Sequence, residues 1–242
     1  LNSTFRMVAN DTRQARAIGS FAATQLSASH YAVLDDGTPY GKGLTDGAAA
    51  QLKAENKEVV VRKSFDDKTV EFDALAGELK AARVEVIVST LNDFQALALL
   101  KALQKVGHTQ VKLLGGDSVK TTDMAKGAGL IEGLYATSPV LEAKEFTNGK
   151  PFLEKYIAAY QKPPAYGGHY SYDSTYVLTA AMQKAKAADP KDIIKARRTI
   201  NGDAPVIGTM SWDEKGEQRY GAVGVYELRG GAWELRMNSD RW

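Results

Sequence analysis

The chain of 242 residues can build one large domain or two lobes of about 100–150 residues each, and its 31 Lys and Arg against 29 Asp and Glu leave a net charge of +2. The charges are interspersed, without a basic run to track a phosphate backbone, and no apolar run approaches the roughly 18 residues of a membrane span, so neither nucleic acid nor a bilayer is an expected partner. The sequence has no cysteine, which removes disulfides, thiolate chemistry and cysteine-ligated zinc and leaves the redox compartment open.

Residues 1–10 hold a short extended piece around Phe5 to Val8 that leads into Asp11. Asp11 followed three residues later by Gln14 reads as a capping box, the carboxylate accepting from free backbone N–H groups and the amide reaching back. The helix it opens carries Ile18, Phe21, Ala22 and Leu26 on its buried face. His30 to Asn56 then forms a strand, loop and helix. Tyr31-Ala32-Val33-Leu34 is the strand, Asp35 to Pro39 the turn, and Tyr40 opens a helix with Leu44, Ala48 and Leu52 on one side.

The same unit recurs. Glu58-Val59-Val60-Val61 precedes a helix with Phe72, Leu75 and Leu79 at helical spacing, and Val84 to Val88 precedes a helix capped by Asn92 with Leu97, Leu100, Leu103 and Val106 as its stripe. Val111 to Leu114 runs into Gly115-Gly116-Asp117, where two glycines let the backbone turn and bring a carboxylate over the sheet end. A short helix at Thr122 to Lys126 and a strand at Gly133 to Thr137 close the series. Repetition of this kind predicts an α/β fold with a doubly wound parallel sheet.

The pattern changes at Pro139. Helices are expected over Pro151–Gln161, Tyr172–Ala188 and Lys191–Thr199, followed by strands at Val206–Trp212, Gly221–Leu228 and Ala232–Leu235, the last two joined by a hairpin at Arg229-Gly230-Gly231. The reading divides the chain into residues 1–138, a complete C-terminal-type βα lobe with ligand-cleft loops, and residues 139–242, a return segment to a partly missing first lobe with a terminal β-hairpin. Strands N-terminal to Leu1 are the simplest missing part, and the start at Leu1, without an initiator Met or a signal segment, reads as a mature, processed or excised piece.

His30, His108 and His169 are far apart and form no zinc-protease pattern, and there is no G-x-S-x-G elbow, so neither metal nor catalytic residues are assigned. Gly41-Lys42-Gly43-Leu44-Thr45-Asp46-Gly47 has its third glycine one residue late for a dinucleotide loop and lies within the helix, so no cofactor is assigned. What remains is a row of polar groups at strand ends: Asp11, Tyr40, Asn92 and Asp117. In a parallel sheet these loops open on one edge, where a carboxylate and a phenol suit an ammonium group. Each of the four also reads singly as a cap or turn residue.

The order of these pieces resembles the periplasmic branched-chain amino-acid-binding proteins, the extracytoplasmic receptors of amino-acid ABC transporters with the two-lobed type I fold. The matching residues are Phe5-Arg6 with Asp11 and Gln14, Tyr40-Gly41-Lys42-Gly43-Leu44, Gly115-Gly116-Asp117, Tyr172-Asp173, and Ile207 to Gly216. The resemblance implies that the chain corresponds to roughly the last two thirds of such a receptor, with about Val8 to Ser138 as its second lobe. It implies Tyr40 against the ligand, Asp117 as partner of the ammonium, and Asp11 at the lobe's edge. Asn92 stands where the family often has an aromatic residue, which argues for a more polar or roomier site than leucine, isoleucine or valine requires. Tyr166 and His169 are read as packing or turn residues.

The function so implied is a non-enzymatic receptor that closes two lobes by a hinge around a small amino acid or relative and presents it to the membrane permease of an ABC transporter, in the periplasm or another extracytoplasmic space. The alternatives are a ligand-sensing regulator or receptor sensory domain of the same fold, and a nucleotide-using enzyme of Rossmann type.

Overall fold

The computed structural model describes residues 3–239. The chain forms two compact units: residues 11–138 joined by the chain from Val223 onward, and residues 139–222 joined by the chain up to Asn10. In the first unit α1 (Asp11–Thr24), β1 (His30–Asp35), α2 (Pro39–Ala54), β2 (Glu58–Ser64), α3 (Asp73–Ala81), β3 (Val86–Ser89), α4 (Asp93–Lys105), β4 (Lys112–Gly115) and β5 (Gly133–Ser138) follow one another. The second unit contributes α5 (Gly149–Tyr160), α6 (Gly168–Ala185), α7 (Pro190–Arg197), β6 (Gly202–Ala204) and β7 (Gly208–Met210). The chain then returns to the first with β8 (Gly224–Arg229) and β9 (Ala232–Asn238).

The first unit is built on a seven-stranded sheet of order β2-β1-β3-β4-β5-β8-β9. Neighbours from β2 to β5 are parallel, and β8 and β9 add on antiparallel. Strand side chains alternate between faces, and both faces are covered. Tyr31, Val33, Val86, Val88 and Leu114 pack with Ile18, Phe21, Ala48 and Leu52 of α1 and α2. Ala32, Leu34, Ile87 and Leu113 pack with Leu75, Leu79, Leu99 and Leu103 of α3 and α4. Burial on both sides is why β1 and β3 read as unbroken apolar runs instead of alternating ones. Truncating a core leucine of this kind to alanine typically costs about 2–5 kcal/mol.

The terminal hairpin belongs to this sheet, whereas the sequence reading placed it with residues 139–242 as a whole. Its turn is local: Gly230 and Gly231 have φ of +55° and +82°, the left-handed pair a tight hairpin demands. Its partner β5 is far away in sequence, so the pairing Thr137 with Val225 has no local signature. The helix expected at Thr122–Lys126 is a 3₁₀ turn at Asp123–Gly127.

In the second unit β6 and β7 form a separate antiparallel ladder, not the continuous strand expected over Val206–Trp212. The reason is Asp173. Its fully buried carboxylate accepts from Val206 N at 3.1 Å and Ile207 N at 2.7 Å, which turns the chain there. Helix α6 starts at Gly168, four residues ahead of the expected Tyr172, because Gly167 in the left-handed region (φ +72°) redirects the backbone. The segment Phe5 to Val8, expected to lead the βα lobe of residues 1–138, is instead tied into this unit: Trp212 Nε1 donates to Arg6 O at 2.8 Å, and Arg6 N donates to Gly216 O at 2.8 Å.

His169 lies within α6, buried, with Nε2 2.9 Å from Leu141 O. Burial lowers its pKa below the ordinary 6.5, and burial does the same for His108 in the first unit, whose Nε2 is 2.8 Å from Val84 O. Both rings stay neutral in the folded state at pH values where the unfolded chain takes up protons. Their contribution to stability is therefore complete above about pH 6.5 and is lost as the pH falls through and below it. Urea unfolding is expected to give a lower stability at pH 5.5 than at pH 7.5; equal values would show that neither ring is held neutral.

Candidate functional site

Strand β1 lies between β2 and β3, so the direction of sheet winding reverses there, and the loops beyond the carboxyl ends of the strands part at such a point to leave a ligand crevice. After β1, Asp35 Oδ1 accepts from Gly37 N at 2.9 Å and Ser64 Oγ at 2.6 Å. Asp36 Oδ1 accepts from Thr38 N at 3.1 Å and Thr38 Oγ1 at 2.7 Å. Both side chains are buried, and one oxygen of each shapes the turn. Thr38 in turn caps α2, accepting from Gly41 N at 3.0 Å, and Pro39 occupies the first helical position. This fixed start holds Tyr40 at the rim with its ring 42% exposed.

The loop after β3 docks on this turn through Thr90 Oγ1, which donates to Gly41 O at 3.1 Å. The loop after β4 joins it from the other side, Ser118 Oγ donating to Leu91 O at 3.4 Å and Thr121 Oγ1 to Asp93 Oδ2 at 2.9 Å. Asp117 begins a 3₁₀ turn right after Gly116. A Cβ on Gly115 would stand 2.3 Å from Val119 Cγ2, so the tight turn requires glycine there.

Asp117 and Tyr40 meet. The Tyr40 hydroxyl donates to Asp117 Oδ1 at 2.9 Å, and the Gln14 amide Nε2 donates to the same oxygen at 3.0 Å. Among the described residues no hydrogen bond reaches Asp117 Oδ2. Gln14 is 1% exposed, and its Nε2 also lies 3.2 Å from Thr137 Oγ1 and 3.5 Å from Thr137 O on β5.

Of the four residues picked from the sequence, Tyr40 and Asp117 are brought together, and no hydrogen bond among the described residues joins Asp11 or Asn92 to them. Asn92 is the cap of α4, its backbone N–H donating to Gln95 Oε1 at 3.2 Å. Asp11 is exposed and is the first residue of α1 instead of the cap before it. It lines a groove between α1 and α2 with Arg16, Gly43 and Gln51. Gln14, read from sequence as the reciprocal half of a capping box, instead turns its amide nitrogen to the sheet end. The only sequence signal for that role was its place on the apolar side of α1, one turn before Ile18. Among the described residues no group of three or more His, Asp and Glu could hold a metal ion.

The chain and its sheet have counterparts among known proteins. The model of the periplasmic binding protein family matches residues 2–232. The chain belongs to that family. The amino acid binding protein of Pseudomonas aeruginosa is 29% identical over 232 residues, covering 94% of this chain and 60% of that protein. The chain thus spans about 60% of the length of this curated relative. Among solved structures, a leucine binding protein from Thermotoga maritima superposes with a TM-score of 0.84 at 23% identity over 98% of this chain and 69% of that one. A solute binding protein of an ABC transporter from R. palustris, solved with benzoate, superposes at 0.78 with 17% identity over 97% of this chain and 64% of that one. These likenesses establish the type I fold with its mostly parallel sheet.

Gly41 tests the rim's construction. A Cβ there would stand 2.1 Å from Asp36 Oδ1 and 2.9 Å from Thr90 Oγ1, whereas one on Gly43 would meet nothing within 4 Å. Gly41→Ala is expected to lower the unfolding free energy by about 1–3 kcal/mol. Gly43→Ala, in a helix with open space around it, is expected to raise it by roughly 0.5–1 kcal/mol. Urea melts of the two variants check both signs.

Proposed function

We propose that the protein is a solute-binding receptor that captures a small amino acid or a related amine, with Asp117 and Tyr40 receiving its ammonium group. The observation that carries this reading is the state of the Asp117 carboxylate: Oδ1 already accepts from two donors, and Oδ2 accepts from none among the described residues. A carboxylate so arranged is ready for a charge-assisted hydrogen bond from a cation. The half-exposed ring of Tyr40 beside it gives a cation a second favourable surface. The polar Asn92 at the neighbouring loop suits a ligand less apolar than a branched aliphatic chain.

A binding role fits better than catalysis. Each of the three histidines lies within hydrogen-bond distance of a backbone carbonyl, His30 at Arg83 O, His108 at Val84 O and His169 at Leu141 O. Among the described residues none of the three is therefore hydrogen-bonded to Tyr40 or Asp117, where a histidine general base would stand. Family membership supports an extracytoplasmic location and a permease of an ABC transporter as the partner to which the ligand-closed form is presented. Closure follows from contacts that the ligand makes only in the closed state.

The test is calorimetry of the full-length protein with a panel of L-amino acids. Asp117→Asn keeps the shape and removes the charge, and is expected to weaken binding of an amine by at least about 30-fold. Tyr40→Phe is expected to weaken it by roughly 2- to 10-fold. Unchanged affinity in Asp117→Asn would take Asp117 out of the site.

A further inference from the structure

Resting on this reading, we propose that Gln14 is the positioning residue that makes the site selective for ligands bearing an ammonium over ligands of the same shape that lack one. Thr137 Oγ1 lies 3.2 Å from Gly115 O and donates its single hydrogen there. Toward Gln14 it can therefore only accept, as can the carbonyl Thr137 O. Two acceptors facing inward oblige Gln14 to present its NH₂ to them and not its own carbonyl, so β4 and β5 hold the amide in the one orientation that also suits the carboxylate of Asp117. The same NH₂ carries its other hydrogen to Asp117 Oδ1 at 3.0 Å.

Asp117 is thereby held from below by a donor whose direction cannot reverse, and from above by the Tyr40 hydroxyl at 2.9 Å. With Oδ1 occupied by both, the carboxylate cannot rotate without breaking two hydrogen bonds, and Oδ2 is the acceptor left for the ligand. A ligand group arriving there must be a donor. A desamino analogue brings none, and its own carboxylate is repelled if it turns that way. Gln14 needs no contact with the ligand to do this, and at 1% exposure it is placed to act through Asp117.

The experiment measures, on the full-length protein, the affinity for an L-amino acid divided by that for its desamino acid, using L-leucine with 4-methylpentanoate and L-alanine with propanoate. Gln14→Leu keeps the volume and removes both donors, and is expected to lower this ratio by about tenfold while the thermal midpoint confirms that the variant is folded. Thr137→Val, which removes the hydroxyl that orients the amide, is expected to lower the ratio in the same direction by less, and Thr137→Ser, which retains the hydroxyl, to restore it. Should Gln14→Leu fail to fold, the Thr137 pair decides the matter alone. A ratio unchanged within about twofold in folded variants would overturn the role of Gln14 and leave that of Asp117 standing. A wild-type protein that binds no amine of the panel would remove both.

Discussion

Two hydrogen bonds converging on one carboxylate oxygen hold the rim together. The phenol of Tyr40 and the amide of Gln14 reach Asp117 from different helices, and each is delivered by the same constraint: helices α1 and α2 cover one face of a sheet whose five parallel strands, β1 to β5, all end on one edge. Parallel strands require helical crossovers, and crossovers place the loops after β1, β3 and β4 side by side although they are far apart in sequence. Cross-ties such as Thr90 to Gly41 and Ser118 to Leu91 then make three loops into one surface. If the sheet order were different, Tyr40 and Asp117 would have no reason to meet.

The distinction between Asp35, Asp36 and Asp117 shows how similar side chains at strand ends acquire different work. The first two are buried, and each accepts through Oδ1 from backbone N–H groups and hydroxyls of its own turn and the adjoining strand, which shapes the chain. Among the described residues Asp117 likewise accepts on Oδ1 alone, but from side chains of other helices, and it is half-buried where the other two are buried. This matters because the fold itself is permissive: among its likenesses one is a leucine binding protein and another was solved with benzoate. Ligand class is decided by a few side chains on a shared scaffold, and the groups proposed for that role here carry a negative charge with an open acceptor.

Much of the first unit was legible in the sequence because its signals are local. The apolar runs of β1 and β3, the helical spacing of Leu44, Ala48 and Leu52, and the paired glycines at 115–116 and 230–231 each act within a few residues. The convergence of Tyr40 and Asp117 followed from one general rule about parallel sheets. What stayed hidden depends on distant partners. A Gln three residues after an Asp has the same spelling whether it caps a helix or is buried against a strand a hundred residues on, and only the packing of α1 against β5 decides. The hairpin was visible as a hairpin, but its choice of β5 as neighbour was not. Likewise Asp173 within a helix gives no sign that its carboxylate captures the backbone of Val206 and Ile207 and breaks a strand there.

The central claim is that an ammonium group is received by the free oxygen of Asp117. Its most direct test is a crystal structure of the full-length protein with a bound amino acid, read for the position of the ligand nitrogen. The account predicts that nitrogen within hydrogen-bond distance of Asp117 Oδ2, with Tyr40 and Gln14 still on Oδ1. A ligand bound elsewhere, or one whose carboxylate faces this rim while its nitrogen lies remote from Asp117, would contradict it.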